Sequence, residues 1–150
     1  MSSPTPCPLC AQASGAALWR NEALRVIAVD DPDYPGFTRV VWRRHVAEMT
    51  ELAEAERDIL MRAVFAVEAV QRAVLGPDKV NLASFGNVVP HLHWHVIPRW
   101  RDDRHFPDPV WAPPRVAAGA ETAAWLERRA RALRLLPVYY DRLGEALTGL

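Results

Sequence analysis

The stretch of sequence that decides the fold is PHLHWHVIPR, residues 90–99. Three of the chain's five histidines stand here at alternate positions, namely His91, His93 and His95. Alternate residues of a β-strand share one face of the sheet, so an extended backbone directs all three imidazoles to the same side. The apolar residues between them then face the core. This alternation predicts a half-buried strand that carries a row of ring nitrogens.

The segments before this strand predict a sheet and one long helix. Apolar, β-rich runs predict further strands at 17–20, 24–29, 38–42 and 79–85. Apolar residues recur at three- and four-residue steps from Thr50 to Leu75, which is typical of an amphipathic helix that Gly76 and Pro77 end. We therefore expect an α+β fold, with a mostly antiparallel sheet of about five strands and one long helix packed on it.

The C-terminal third predicts a loop followed by helices. Residues 101–115 combine charges with prolines, which favours an irregular segment. A helix is expected over 122–136, with Pro137 breaking it before a short terminal helix over 138–147. The length of 150 residues predicts a single domain, with a core over about 7–100 and a tail over 101–150.

Composition and charge exclude several classes of function. Lysine plus arginine and aspartate plus glutamate each number 18, so the chain lacks the basic excess of a protein that binds a nucleic-acid polymer. An apolar run of about 18 residues, the length that spans a membrane, is absent from the sequence. The first residues show neither the basic nor the apolar segment of a secretory signal. We expect a cytoplasmic protein without a membrane partner.

Two kinds of chemistry use a row of imidazoles. Neutral rings on one face bind metal ions such as zinc. Alternatively, one histidine acts as a nucleophile while its neighbours set its tautomer and hold an anionic substrate. The only two cysteines, Cys7 and Cys10, have the spacing of half a metal site or of a redox pair, which a reducing compartment favours over a structural disulfide.

The histidine segment resembles the signature of the histidine triad (HIT) superfamily of nucleotide hydrolases and transferases. That signature, His-φ-His-φ-His-φ-φ with φ apolar, matches residues 91–97. Gly86, the Pro98-Arg99 pair and residues 43–52 are also similar to the family, and the resemblance covers about residues 7–100. It implies a HIT-like fold and a reaction at the α-phosphate of a dinucleoside polyphosphate, a nucleoside phosphoramidate or a similar NMP–X substrate.

The resemblance also implies roles for individual residues. By position, His93 is the nucleophile that forms a nucleotidyl-histidine, His95 donates to the phosphate oxygens, and His91 supports His93 or binds a metal. An attacking imidazole must be neutral at its outer nitrogen, so we expect a backbone carbonyl to hold the inner N–H of His93. The residues that the resemblance implies for nucleotide binding are Asp30, Asn81, Asn87 and Arg99.

The resemblance further gives the cysteine pair a role. In some HIT-like branches, including the uridylyltransferases, a similar arrangement binds zinc through the first triad histidine. The likeness implies a structural Zn²⁺ held by Cys7, Cys10, His45 and His91, which would orient the strand carrying the nucleophile. A vestigial pair without metal and a redox pair are the alternatives.

The resemblance also bears on assembly. HIT-like proteins are often homodimers in which the segment after the triad helps to form the partner's pocket. The segment from Arg99 to Trp111 therefore closes over the substrate, lies in such an interface, or is a solvated loop. These three interpretations stay open from the sequence.

Two positions depart from the family pattern. Val88 stands where relatives of the phosphoramidase type carry a hydroxyl residue near the leaving group, and Pro90 cannot donate a ladder hydrogen bond. Two alternative functions stay open, the first because of Val88 and the second because neutral imidazoles on one face also bind zinc. One is a nucleotide-binding regulatory protein with little turnover, and the other is a zinc-centred hydrolase with all three triad histidines as ligands.

Overall fold

A five-stranded antiparallel sheet forms the centre of the computed structural model, which describes residues 7–11 and 15–150. The strands are β1 (Ala16–Arg20), β2 (Leu24–Ala28), β3 (Thr38–Trp42), β4 (Lys79–Ala83) and β5 (His93–Arg99), in the order β1-β2-β3-β5-β4. A 3₁₀ turn (Met49–Glu51) and the helices α1 (Glu54–Val74) and α2 (Ala123–Leu147) complete the fold. The predicted α+β class is confirmed. Within the described residues, no helix has the length and apolar character to cross a membrane.

The alternation along β5 divides the sheet into a helix-covered face and a face covered by loops. Trp94 and Val96 belong to the main apolar core, together with Leu60 and Val64 of α1. His93, His95 and Arg99 occupy the alternate positions and therefore lie on the other face. The histidine row thus stands on a rigid, packed strand while its own face stays open to loops and ligands.

Helix α1 is tied to the sheet by a buried amide as well as by apolar packing. Gln71 is fully buried, and its Nε2 donates to the carbonyl oxygens of Gly36 and Val96 at 2.9 and 3.0 Å. The helix ends close to the predicted residue, because Gly76 adopts a φ of +62° that glycine takes without strain. The bond to Val96 holds α1 against the strand that carries the triad.

The prediction that Pro137 breaks the C-terminal helix is wrong. Helix α2 runs without interruption over Ala123–Leu147, so the two predicted helices are one. A proline inside a helix removes the hydrogen bond to the carbonyl four residues earlier, which here belongs to Leu133. Both residues lie on the exposed side of α2, where water can solvate that carbonyl, while the buried Tyr139 anchors the opposite side.

A buried ion pair holds the loop after β5, residues 101–115, against the sheet. The Arg99 guanidinium donates to both carboxylate oxygens of Asp103, at 2.7 and 3.1 Å, and to the Asp108 carbonyl at 2.8 Å. The Asp103 carboxylate also accepts hydrogen bonds from the backbone N–H groups of Trp100, His105 and Phe106. The charged loop predicted from the sequence is therefore an ordered structure with a polar centre.

Asp103→Asn is expected to destabilise the protein by about 3 kcal/mol or more, because it leaves the buried Arg99 charge unpaired. Burial alone would raise the pKa of Asp103, but hydrogen bonds from Arg99 and the backbone lower it overall, so the carboxylate is charged at neutral pH. Urea unfolding measures the loss. The control is Asp108→Asn, which breaks an exposed pair with Arg115 and should cost much less. Equal stabilities of the two variants would contradict this prediction.

Candidate active site and metal centre

The triad histidines belong to two neighbouring sites on the loop-covered face of the sheet. His93 and His95 line a cavity of about 490 Å³ together with Arg39 of β3. His91 precedes β5, and its ring joins the side chains of Cys7, Cys10 and His45 instead. The structure therefore separates a two-histidine cavity from a cluster of potential metal ligands.

A backbone carbonyl holds His93 in one tautomer. Its Nδ1 lies 2.6 Å from the carbonyl oxygen of His91, and since a carbonyl only accepts, Nδ1 carries the proton. Nε2 then keeps a free lone pair on a ring that lines the cavity. Burial lowers the pKa of His93 below its usual 6.5, although the bond to His91 opposes this shift. At neutral pH the ring is therefore uncharged and nucleophilic at Nε2.

His95 takes the opposite tautomer. The Nε–H of Arg39 donates to its Nδ1 at 3.3 Å, so the proton of the neutral ring sits on Nε2. Burial, with smaller contributions from His93 and Arg39, lowers the pKa of His95 to about 3. The rings of His93 and His95 meet edge to face with centroids 4.8 Å apart. The cavity thus contains one imidazole lone pair next to one imidazole N–H donor.

Arg39 is a positively charged group in the same cavity that the sequence reasoning missed. It stands directly opposite His95 in the β3–β5 register. Among the residues the structure describes, its guanidinium forms no ion pair with a carboxylate, so its charge is available to an anion. The signal that could have revealed it is an arginine directly before the apolar run Val40-Val41-Trp42 in a central strand.

The two ends of the cavity differ in their side chains. Leu9 and Val89 form an aliphatic end that packs on Val41, the register partner of His93. Phe85 and Trp111 form an aromatic end, where both rings contact His95. A ligand that fills the cavity therefore meets polar groups at the centre and different apolar walls on either side.

The four predicted nucleotide-binding residues lie in different places. Asn87 lines the cavity. The buried guanidinium of Arg99 donates to Oδ1 of Asn81 at 2.7 Å as well as to Asp103, so these two predicted residues meet each other beneath loop 101–115 rather than in the cavity. Asp30 is exposed beyond β2 and raises the pKa of Tyr140 on α2, adding to the effect of burial.

Cys7, Cys10, His45 and His91 form a compact cluster whose four ligand atoms lie within 4.8 Å of one another. His91 Nδ1 is 3.5 and 3.4 Å from the two sulfurs and 3.2 Å from His45 Nδ1. Tetrahedral zinc, with bonds of about 2.3 Å to sulfur and 2.0 Å to nitrogen, separates S from N by about 3.5 Å and two N atoms by about 3.3 Å. The three separations around His91 Nδ1 therefore match those between the ligands of a tetrahedral zinc ion.

His91 connects this cluster to the nucleophile. Its Nε2 donates to the Trp42 carbonyl at 2.6 Å, which leaves Nδ1 as the nitrogen that faces the cysteines. Its own carbonyl accepts the proton of His93 Nδ1. The residue that completes the cluster thus also sets the tautomer of His93.

Comparison with known proteins agrees with this geometry. The model of the HIT domain family matches residues 11–102, more than half of the chain. The chain belongs to the HIT-domain family. It is 29% identical over 108 residues to an AP-4-A phosphorylase of Mycobacterium tuberculosis, a match that covers 68% of this chain and 55% of that protein. It is 34% identical over 96 residues to an uncharacterised HIT-like protein of Saccharolobus solfataricus, covering 59% and 68% respectively.

Solved structures show the same fold. A histidine triad protein from Bradyrhizobium japonicum aligns with a TM-score of 0.63 and 27% identity, covering 84% of this chain and 93% of that one. A zinc-bound histidine triad family protein from Mycobacterium smegmatis aligns with a TM-score of 0.58 and 20% identity, covering 93% and 94%. The resemblance to the histidine triad family seen at residues 91–97 is thereby confirmed.

The lowered pKa of His95 predicts a loss of stability in acid. The ring titrates near 6.5 in the unfolded chain and near 3 in the folded one, so only the unfolded chain takes up a proton between these values. The stability that this difference contributes is fully present above pH 6.5 and is lost as the pH falls toward 3. We expect the difference in unfolding free energy between wild type and His95→Asn to change in favour of the variant from about pH 7.5 to pH 5.

This comparison separates His95 from the other histidines, because the variant keeps His91, His93 and the cysteine cluster intact. Chemical denaturation at several pH values measures the difference. A difference that stays constant with pH would show that His95 is not held neutral by the fold.

Proposed function

We propose that this HIT-family protein cleaves NMP–X substrates at the α-phosphate through a covalent nucleotidyl-histidine on His93. The observation that carries the proposal is the pair of opposite tautomers, with a free lone pair on His93 Nε2 and an N–H on His95, beside the positive charge of Arg39. The family match and the AP-4-A phosphorylase relative support a nucleotide substrate.

In the first step, His93 Nε2 forms a bond to phosphorus while the P–X bond breaks and its electron pair leaves with X. The proton on Nδ1 stays on the ring, and the His91 carbonyl stabilises the positive charge that the ring gains. Arg39 and the Nε2–H of His95 stabilise the charge on the non-bridging phosphate oxygens. X takes a proton from water and leaves as HX.

In the second step, a water molecule attacks the same phosphorus and the N–P bond breaks, which restores neutral His93. The water gives one proton to solvent and its oxygen remains on the product, so the sum is NMP–X plus water giving NMP and HX. An acceptor other than water would make the same intermediate a nucleotidyl donor. The scheme therefore covers both hydrolysis and transfer.

Trapping the intermediate tests this proposal. Wild-type protein is mixed with an NMP–X substrate, quenched within one turnover and examined by intact-protein and peptide mass spectrometry. We expect a nucleoside monophosphate adduct on the peptide that contains His93, and its absence in His93→Ala. His95→Asn serves as a control that retains the nucleophile and should form the same adduct more slowly. Turnover without an adduct, or an adduct on another residue, would overturn the assignment.

We propose that the Cys7–Cys10–His45–His91 cluster holds a structural Zn²⁺ ion. The donor distances support it, and the relative from Mycobacterium smegmatis is a zinc-bound protein. Four protein ligands leave no open coordination position, so the ion would supply stability rather than activate water. This geometry also favours a nucleophilic role for His93 over the zinc-centred alternative, because His91 already uses both of its ring nitrogens elsewhere.

A regulatory nucleotide-binding role is the second candidate function. Val88, which replaces a hydroxyl residue of the phosphoramidase-type relatives, is 93% exposed at the rim of the cavity and offers no proton to a leaving group. Nucleotide binding without the trapped adduct would support this role. The homodimer and the cytoplasmic location stay predictions that derive from the resemblance and the sequence.

A further inference from the structure

Phe85 and Trp111 form an exposed aromatic pair beside the triad. Their rings meet edge to face with centroids 4.8 Å apart, yet 56% and 51% of their surfaces stay exposed. The pair stands between the catalytic cavity and a second cleft of about 570 Å³, and both rings line both spaces. Large aromatic surfaces left open at a cavity mouth are typical of ligand-binding sites.

The fold holds both rings in place before any ligand binds. Phe85 follows Ser84, whose hydroxyl donates to the His93 carbonyl at 2.8 Å. Trp111 lies on loop 101–115, which Arg99 fixes through Asp103 and through the Asp108 carbonyl. Arg99 and His93 belong to the same strand, so the aromatic pair and the nucleophile share one rigid support. Such preorganisation lowers the entropy that binding would otherwise cost.

The pair lies on the side of the cavity away from the attacking ring. His95 stands next to His93, and both aromatic rings pack beside His95. The ring centroids of Phe85 and Trp111 lie 6.2 and 5.1 Å from that of His95. In an in-line displacement the leaving group departs on the side of phosphorus opposite the nucleophile. A leaving group that departs along the His95 side of the cavity passes beside these rings.

We propose that Phe85 and Trp111 form a stacking subsite for a planar aromatic ring carried by the leaving group X. This inference rests on the proposed function and adds a specificity for X. The loop after the triad then serves its own chain's cavity. Because the two rings are perpendicular, a planar ring that stacks on one of them meets the other edge to face. This contact selects substrates whose leaving group carries an aromatic ring, whereas a small X would use only the polar centre of the cavity.

Three probes with leaving groups of similar basicity test the subsite: the β-methyl, β-benzyl and β-cyclohexylmethyl esters of ADP. Each releases a phosphate monoester, so differences among them report contacts rather than leaving-group chemistry. We expect Trp111→Ala and Phe85→Ala to lower kcat/KM about tenfold for the benzyl ester and less than twofold for the methyl ester. The cyclohexylmethyl ester, matched in size but without a π-face, should show an intermediate loss.

Two controls accompany these variants. Phe65→Ala removes an aromatic ring of α1 that is 53% exposed and does not line the cavity. It should therefore leave the ratio of kcat/KM for the benzyl ester to that for the methyl ester unchanged. Trp111→Phe keeps a π-face and should restore most of the preference for the benzyl ester. Equal losses for all three esters, or no loss for the benzyl ester, would overturn the subsite.

Failure of the proposed function gives a different result. In that case wild-type protein would turn over none of the esters, and dissociation constants measured with His93→Ala would replace kcat/KM. The dissociation constants of the benzyl and methyl esters are then compared between His93→Ala and the double variant that adds Trp111→Ala. A selective loss of benzyl-ester affinity in the double variant supports the subsite, and uniform or absent losses refute it.

Discussion

Replacing His93 by alanine is expected to reduce turnover at least about 1,000-fold, because the variant lacks the ring nitrogen that we propose forms the covalent intermediate. The fold should persist, since the change removes one hydrogen bond, from Nδ1 to the His91 carbonyl, and leaves the packed face of β5 intact. Steady-state kinetics and thermal unfolding of the same preparation measure the two effects separately.

Nucleotide affinity provides the control for this variant. Arg39 and His95 still line the cavity, so the dissociation constant for a nucleoside monophosphate should change by less than about tenfold. A metal-replete His93→Ala protein that hydrolyses the substrate at the wild-type rate would show that another group is the nucleophile.

The second large effect is expected at the cysteine cluster. Cys10→Ser should abolish tight zinc binding, because a serine hydroxyl does not replace a thiolate ligand at neutral pH. At a free zinc concentration about 1,000 times the Kd, the lost binding amounts to about 4 kcal/mol. For a chain of this size that loss corresponds to a decrease in Tm of about 8–16 °C. Calorimetry and metal analysis at buffered zinc measure both quantities.

Ala11→Ser is the matched control, since it introduces the same hydroxyl at the exposed residue next to Cys10. It should bind one zinc ion and unfold at the wild-type temperature. Chelation should likewise lower the Tm first and affect activity only as the protein loses structure. Immediate loss of turnover on chelation, at a temperature far below the Tm, would contradict a structural role and favour a zinc-centred reaction.

Local sequence patterns were sufficient for most of the secondary structure. The alternation of histidines with Leu92, Trp94 and Val96 predicted β5 and the face that its rings occupy, because the period of a strand does not depend on its neighbours. The apolar spacing and Gly76 predicted helix α1 for a similar reason. Pro137 was misread because its effect depends on whether the freed carbonyl meets water, which the sequence does not state.

The site was predicted in part. A short motif predicted His93, His95 and their strand. The motif does not include Arg39, which reaches the cavity through the β3–β5 register, or the aromatic pair, whose Trp111 reaches it through a folded loop. Arg99 shows the converse. The resemblance implied that Arg99 binds the nucleotide, but Asp103, four residues further on, engages its guanidinium in a buried ion pair.

By itself, the sequence determined the strand period, the helix period and the chemical types of the groups on each face, because these follow from local backbone geometry. Only the tertiary structure decided which groups meet. Cys7 and His91 are 84 residues apart, yet their ligand atoms lie 3.5 Å from each other. The same holds for Trp111 and His95, whose ring centroids lie 5.1 Å apart because Arg99 holds the loop that carries Trp111 in place. Such contacts depend on the packing of the whole chain. The family resemblance implied the first of them, but local backbone geometry determines neither.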